Sequence, residues 1–488
     1  MGQKIVDREP EKVKLRRLAK LKTPRLVLLY GRRRVGKTHL LTNLWDSQRV
    51  FYFTASATTS EQNRRQLIME ASEWSGETLQ PEDYPTWRTV FRLMLGLRPG
   101  RLLILVLDEF QYLGETPADL ARVTSELNAA WEGLRNPRRS LLFVISGSSV
   151  ATLEALDRGG APLYGRFAWK AQLQPFDYLD AGKMASFESL RDRACTYGIF
   201  GGMPRYLAPV NARHSLAQNV ADLMLSPRGE VRIQVETALL QEQGLRDIPK
   251  YTAILRAIGA GRTDLNEIAQ RAGLLNDSPL RDKVERLVGL GFVEKKRNLG
   301  AKRTSPYRYR LADPAFMFYH QFVARLETAL EVNEPMEVWK DHLSSQLDQY
   351  MGHLFERIAE QAYQRLRKQK KLPLIKEWGR WEGAGRDGDS LEIDLAAYLT
   401  DGRVLTGGVK WNNEPLEARW HFHHLAAIER LAVAGVEWAH AAKQEDSPLI
   451  YVAAGGFTRS FEDAARVSRQ QVILWSLKDL YPYSAEEV

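Results

Sequence analysis

Residues Gly31 to Thr38 read G-R-R-R-V-G-K-T, between the apolar run Leu26-Val27-Leu28-Leu29-Tyr30 and a helix-like segment, His39-Leu40-Leu41-Thr42-Asn43-Leu44-Trp45. The run is short enough for a buried parallel strand. A strand, a glycine-bounded loop and a helix N-terminus aim successive backbone N–H groups, and the helix dipole, at an anion. On this reading Gly31, Arg32, Arg33, Arg34, Val35, Gly36, Lys37, Thr38 and His39 cradle the phosphates of ATP. Lys37 reaches the β- and γ-phosphates, and the Thr38 hydroxyl holds Mg²⁺. The competing reading is a glycine-rich surface turn.

A second segment weighs against that alternative. Arg101 to Leu113 reads R-L-L-I-L-V-L-D-E-F-Q-Y-L, an apolar run from Leu102 to Leu107 that ends in two carboxylates. Such a run suits a central strand covered on both faces. Asp108 at its end can accept from a Mg²⁺-bound water, and Glu109 can polarise the water that attacks the γ-phosphate. The pair could instead cap the next helix. A third strand, Leu141-Leu142-Phe143-Val144-Ile145, ends in Ser146-Gly147-Ser148-Ser149. Ser148 there either senses the γ-phosphate or caps a helix starting near Val150. These three strands predict a P-loop α/β domain with a parallel sheet.

The order of motifs along the chain resembles the archaeal-type ATPases of the AAA+/STAND clade, whose C-terminal region is a restriction-endonuclease-like, PD-(D/E)xK domain. The matching pieces are Asp7-Arg8-Glu9, Gly31–Thr38, Phe51-Tyr52-Phe53-Thr54, Asp108-Glu109-Phe110-Gln111-Tyr112 and Ser146-Gly147-Ser148-Ser149. Pro162-Leu163-Tyr164-Gly165-Arg166, Gly201-Gly202-Met203-Pro204-Arg205-Tyr206 and Glu392-Ile393-Asp394-Leu395 follow. The resemblance implies that Asp7 and Arg8 sit beside the adenine and ribose. It implies that Arg166 contacts a γ-phosphate, in cis or from a neighbouring subunit of a homo-oligomer. It implies that Pro204 belongs to a Gly-x-Pro element that packs a lid helix on the base. A surface salt bridge for Arg166 and a plain turn at Pro204 are the alternatives.

Composition sets the frame. A chain of 488 residues is too long for one core and suggests about three domains. The lone Cys195 excludes an internal disulfide framework and thiolate zinc sites, and fits a reducing cytoplasm. The charged start, Met1-Gly2-Gln3-Lys4, has no signal-peptide core, and no apolar run approaches membrane-span length. A net charge of +9 is a moderate pull toward polyanions.

That charge is concentrated. Tyr251 to Leu311 has the pattern of a winged helix: Ile254, Leu255 and Ile258 in one helix, a second opening at Asp264 after a Thr263 cap, and a third from Leu280 to Leu290. A hairpin leaves from Gly291 and returns through Tyr307–Leu311. Arg281 to Arg310 holds ten Lys/Arg against three Asp/Glu, a local charge of +7. Such a helix and wing could dock on double-stranded DNA. The alternative is a scaffold with solvated basic residues.

The segment 313–338, with Phe316, Phe318, Tyr319 and Phe322, reads as a packed helical linker. In the last part, Glu356 on a helix, Asp394 on the strand Leu391–Leu399 and Lys410 on the strand Val404–Trp411 match a restriction-like nuclease. The acid expected two residues before the lysine is missing, because Gly408 stands there. Glu392 could substitute, since residues i and i+2 of a strand share a face. His421, His423 and His424 read as surface helix positions rather than a metal site.

The expected organisation is therefore a P-loop ATPase core with helical lid over 1–245, a winged helix over 246–312, the linker, and a restriction-endonuclease-like α/β domain over 339–488. Three functions compete: a DNA-associated ATPase with a degenerate nuclease domain, an ATP-dependent DNA nuclease, and a STAND-type protein-binding switch.

Overall fold

The apolar run before the glycine loop forms β1 (Arg25–Tyr30), one of five parallel strands with β2 (Val50–Thr54), β3 (Leu103–Asp108), β4 (Leu141–Gly147) and β5 (Phe167–Gln172). Their order across the sheet is β2-β3-β4-β1-β5. This computed structural model describes residues 8–46, 49–97, 102–134, 140–242, 245–367, 369–370, 372–384 and 390–482. Asp7 lies outside them.

Alternation along the strands explains one side of the core. Leu26 and Leu28, Phe51 and Phe53, Leu103, Leu105 and Leu107, and Leu141, Phe143 and Ile145 join a single buried cluster. Leu67, Phe91, Met94 and Leu127 meet them from the helices Ser60–Ser75, Trp87–Gly96 and Pro117–Glu132. Those helices start at Thr59, Thr86 and Thr116, whose side chains accept from backbone N–H groups of the first turn. Each fully buried Leu or Phe contributes about 1.5–3 kcal/mol. The interleaved residues Val27, Leu29, Ile104, Val106, Leu142 and Val144 are also buried, so the strands are covered on both faces. All strands run the same way, so the glycine loop, Asp108 and Ser146–Ser148 arrive together at the carboxyl edge, where ligands of open α/β sheets bind.

The chain forms two compact units, residues 1–175 and 176–488. The expected boundary at residue 245 falls inside the second. That unit begins with helices including Tyr178–Met184, Leu190–Phe200 and Pro204–Leu207. Helices Ile248–Gly259, Leu265–Ala272 and Ser278–Gly289 follow, then an antiparallel hairpin of β6 (Val293–Lys296) and β7 (Arg308–Leu311). The second of these helices is capped by Asp264, whose carboxylate accepts from Glu267 N, and not by Thr263. Asp313 caps the helix Pro314–Gln321, and Phe316, Phe318 and Phe322 are buried.

After the helix Leu347–Leu366 comes a separate mixed sheet: β8 (Ile375–Ala384), β9 (Ser390–Leu399), β10 (Val404–Lys410), β11 (Leu449–Ala453) and β12 (Val472–Ser476). Their order is β12-β11-β10-β9-β8. The β8–β9 and β9–β10 pairs are antiparallel, and β10–β11 and β11–β12 are parallel. The fold class is thus α/β, with a parallel P-loop sheet and a distinct C-terminal sheet.

One expectation for the histidines is corrected. His421 is buried and its Nδ1 lies 2.9 Å from the Tyr451 hydroxyl, while His424 Nε2 lies 3.0 Å from Thr406 Oγ1. Only His423 is exposed. The helix Arg419–Val433 turns its first-turn imidazoles onto the sheet, where a strand hydroxyl satisfies each.

Candidate nucleotide site

The loop after β1 is held open by its backbone. A Cβ at Gly31 would stand 2.5 Å from the carbonyl oxygen of Leu173, so only glycine fits beside that strand end. Gly36, at φ 92, precedes the helix Lys37–Asn43 without a side-chain cap, leaving first-turn N–H groups for a ligand. Arg34 takes a left-handed φ of 71, a conformation costly for a side-chain-bearing residue and concentrated at functional sites.

Lys37 is buried, and its Nζ donates to the carbonyl oxygens of Gly31 (2.8 Å) and Arg32 (3.2 Å), fixing the ammonium at the mouth of the loop. Thr38 Oγ1 donates to Asp108 Oδ2 at 2.9 Å across 70 residues of sequence. That contact places two hard oxygen donors side by side. Arg33 Nη2 donates to the Tyr112 hydroxyl (2.7 Å), and His39 is half-buried beside Asn43. Arg8 is buried and donates to the backbone oxygens of Val35 (3.1 Å) and Gln174 (2.7 Å), so its guanidinium braces the loop itself.

Asp108, 2 % exposed, is the hub of the site. The Tyr52 hydroxyl donates to its Oδ2 at 2.5 Å, and burial followed by that carboxylate pushes the phenol well above its ordinary pKa. Glu109 stands at φ 51, which turns it away from the strand direction. Its Oε2 accepts from Ser148 Oγ (2.6 Å), from Ser148 N (3.3 Å) and from Gln111 Nε2. Ser148 is therefore tied to Glu109, and the helix Val150–Ala155 has Ser149 at its cap position.

Lys37, Thr38, Asp108, Glu109 and Ser148 are thus gathered at one sheet edge. Tyr52 and Gln111 join them without having been singled out as site residues. A signal for Tyr52 existed: Tyr52 and Thr54 alternate with the core residues Phe51 and Phe53, and the register pairs Thr54 with Asp108. The side-chain polar partner of Arg166 among the described residues is Glu132, and both are half-exposed. Pro204 belongs to the second unit and opens the helix Pro204–Leu207, just after a turn where a Cβ at Gly202 would stand 1.9 Å from the Phe176 carbonyl oxygen.

Residues 5–210 match an ATPase domain described as predominantly from Archaea. Residues 319–421 match a family of archaeal and bacterial proteins of unknown function. An uncharacterized protein of Methanocaldococcus jannaschii is 25% identical over 419 residues, which is 84% of this chain and 88% of its own. Among solved structures, a Walker-type ATPase of Pyrococcus abyssi is 22% identical, with a TM-score of 0.48 over 65% of this chain and 96% of its own. The Orc2 protein of Aeropyrum pernix is 15% identical, with a TM-score of 0.43 over 70% and 96%. The ATPase domain matched over residues 5–210 takes in the first unit and runs on into the opening helices of the second.

The second unit holds the other expected cluster. Single oxygens of Glu356, Glu392 and Asp394 lie within 4.8 Å of one another. Lys410 Nζ is 2.9 Å from Asp394 Oδ2, which also accepts from Val409 N at 3.0 Å. Burial, reinforced by Asp394, raises Glu356 to about 7 against the opposing pull of Arg380. Arg380 stands inside the cluster, 3.1 Å from Glu392 and 3.7 Å from Glu356. Gly408 adds no ligand, although a Cβ there would lie 3.8 Å from Asp394 Oδ2.

Proposed function

We propose that this protein is a Mg²⁺-dependent ATPase of the AAA+/STAND kind that associates with double-stranded DNA and carries a restriction-endonuclease-like domain without cleavage activity. The observation that carries the reading is the Thr38–Asp108 contact beside the Lys37 ammonium. Two adjacent hard oxygens, one a buried carboxylate, fit a Mg²⁺ ion that keeps most of its waters. Such an ion neutralises charge on the β- and γ-phosphates. Lys37 and the loop N–H groups bind and orient the triphosphate. Glu109, aimed by Ser148 and Gln111, accepts the proton of the attacking water. Arg8 braces the loop, and Asp7 and Arg8 flank the nucleoside. Arg166, half-exposed, serves a neighbouring subunit of a homo-oligomer. Pro204 anchors the lid helices, and the site works in the cytoplasm.

For DNA, the support is the three-helix segment with its hairpin, read as a winged helix. Part of its positive charge is engaged within the unit: Lys295 pairs with Glu285, Lys296 with Glu360, and Arg308 with Asp264. Arg281, Lys302 and Arg303 remain exposed for phosphate contact. Among the described residues no helix is long and apolar enough to cross a membrane.

The test is ATP hydrolysis by the purified chain with and without duplex DNA. Stimulation or inhibition by DNA, and DNA affinity that falls steeply with salt, supports the reading. Salt-independent absence of DNA binding favours the protein-binding switch. Mg²⁺- or Mn²⁺-dependent plasmid cutting abolished by Asp394→Ala favours the nuclease.

A further inference from the structure

Restriction-like nucleases hold a divalent ion between acids of which Glu356 and Asp394 match two and Glu392 is a substitute for a third, and the residues present do not fit one. Arg380 is the reason. It lies on β8, whose ladder to β9 slips between Ile375 and Glu377 and again between Gly379 and Trp381. Gly379 pairs with Ala396 and Trp381 with Ile393, so Arg380 alone faces Asp394 and Leu395. The extra residue is on β9, so Asp394 and Leu395 share one partner position, and Arg380 at that position places its guanidinium in the carboxylate cluster. Arg380 Nη2 is 3.1 Å from Glu392 and 2.7 Å from Glu382, and Nη1 is 3.7 Å from Glu356. The arginine side chain is only 20% exposed. Lys410 neutralises the remaining acid, Asp394, at 2.9 Å. An ordinary ligand distance for a small divalent ion is about 2.0–2.2 Å, with near-octahedral geometry. A fixed cation already bridging two of the acids obstructs that geometry and repels the ion. Gly408 withdraws the ligand that would compensate.

We propose that Arg380 is the resident cation of the C-terminal centre, a guanidinium standing where the related nucleases carry a metal ion. The chain itself then supplies two cations, Arg380 and Lys410, to the centre, which keeps its shape without divalent ions. This gives a physical cause for the absence of cleavage proposed above. It does not depend on the nucleotide site, so loss of ATP hydrolysis would leave it standing.

The test measures Mn²⁺ binding to the nucleotide-free full chain by electron paramagnetic resonance, in an Asp108→Ala background that removes the other oxygen site. We expect no binding that responds to Asp394→Asn. With Arg380→Met we expect one added Mn²⁺ per chain, at least about tenfold tighter than before, lost again with Glu356→Gln or Asp394→Asn. Arg380→Lys, which keeps the charge, should stay free of Mn²⁺. A folded Arg380→Met protein that gains no ion would overturn the proposal. Should that variant fail to fold, thermal melting of the Asp108→Ala protein decides: a Mn²⁺-dependent rise in Tm that Asp394→Asn removes refutes the proposal, and no rise supports it.

Discussion

Asp108 receives hydrogen bonds from Thr38 and Tyr52 on the same oxygen, so its carboxylate is aimed before any ligand arrives. Glu109, its neighbour, is aimed by a different set, Ser148 and Gln111. The two acids therefore have separable roles. Glu109→Gln is expected to lower kcat for ATP by about 10²–10⁴-fold while nucleotide affinity, read by fluorescence titration, stays within a few-fold. Tyr52→Phe should cost several-fold in turnover, because Asp108 keeps Thr38 but loses a donor. Lys37, Thr38, Asp108, Glu109 and Ser148 were legible in the sequence because each belongs to a local pattern of strand, loop and helix. Alternation marked Tyr52 as facing away from Phe51 and Phe53, but its partner Asp108 follows only from the pairing of β2 with β3, and the bond from Gln111 to Ser148 only from β3 and β4 being neighbours. A buried titratable group offers a further test at this scale. His320 is held at about 3, by burial first and then by Arg256, against an ordinary 6.5. The unfolded chain thus binds a proton more readily than the folded one, and stability is lost as pH falls from about 6.5 toward 3. His320→Gln should flatten that decline in denaturant melts taken between pH 7 and pH 4.

At the scale of elements, adjacent glycines in β10 have opposite tolerances. A Cβ at Gly407 would stand 1.6 Å from the Ile450 carbonyl oxygen of the neighbouring strand, whereas a Cβ at Gly408 meets nothing closer than 3.7 Å. Gly407→Ala should destabilise the protein by about 3 kcal/mol or more, and Gly408→Ala by under about 1 kcal/mol, in thermal or chemical denaturation. Periodicity showed β1, β3 and β4, the three helices and hairpin over 251–311, and β9 and β10. Two features it did not show. The bulge in β9 opposite Arg380 follows from pairing between strands that leave no mark on local composition. The burial of His421 follows from which face of its helix meets the sheet, and a run of His, Phe and His does not reveal that face.

For the whole molecule, the proposed function assigns ATP turnover to the first unit and DNA contact to the second. If the two are coupled, duplex affinity measured with ATP and with ADP will differ, and replacing Arg281, Lys302 and Arg303 by Ala will weaken binding and reduce its salt dependence. Equal affinities would remove the coupling and leave the ATPase reading intact. That reading is tested most directly by Mg²⁺-dependent ATP hydrolysis in the purified protein, compared with Lys37→Ala and with the Lys37→Ala, Asp108→Ala pair. We predict turnover in the native chain and a loss of at least about 100-fold in both variants. Undiminished turnover after both side chains are removed, or no nucleotide affinity in the native chain, would contradict it.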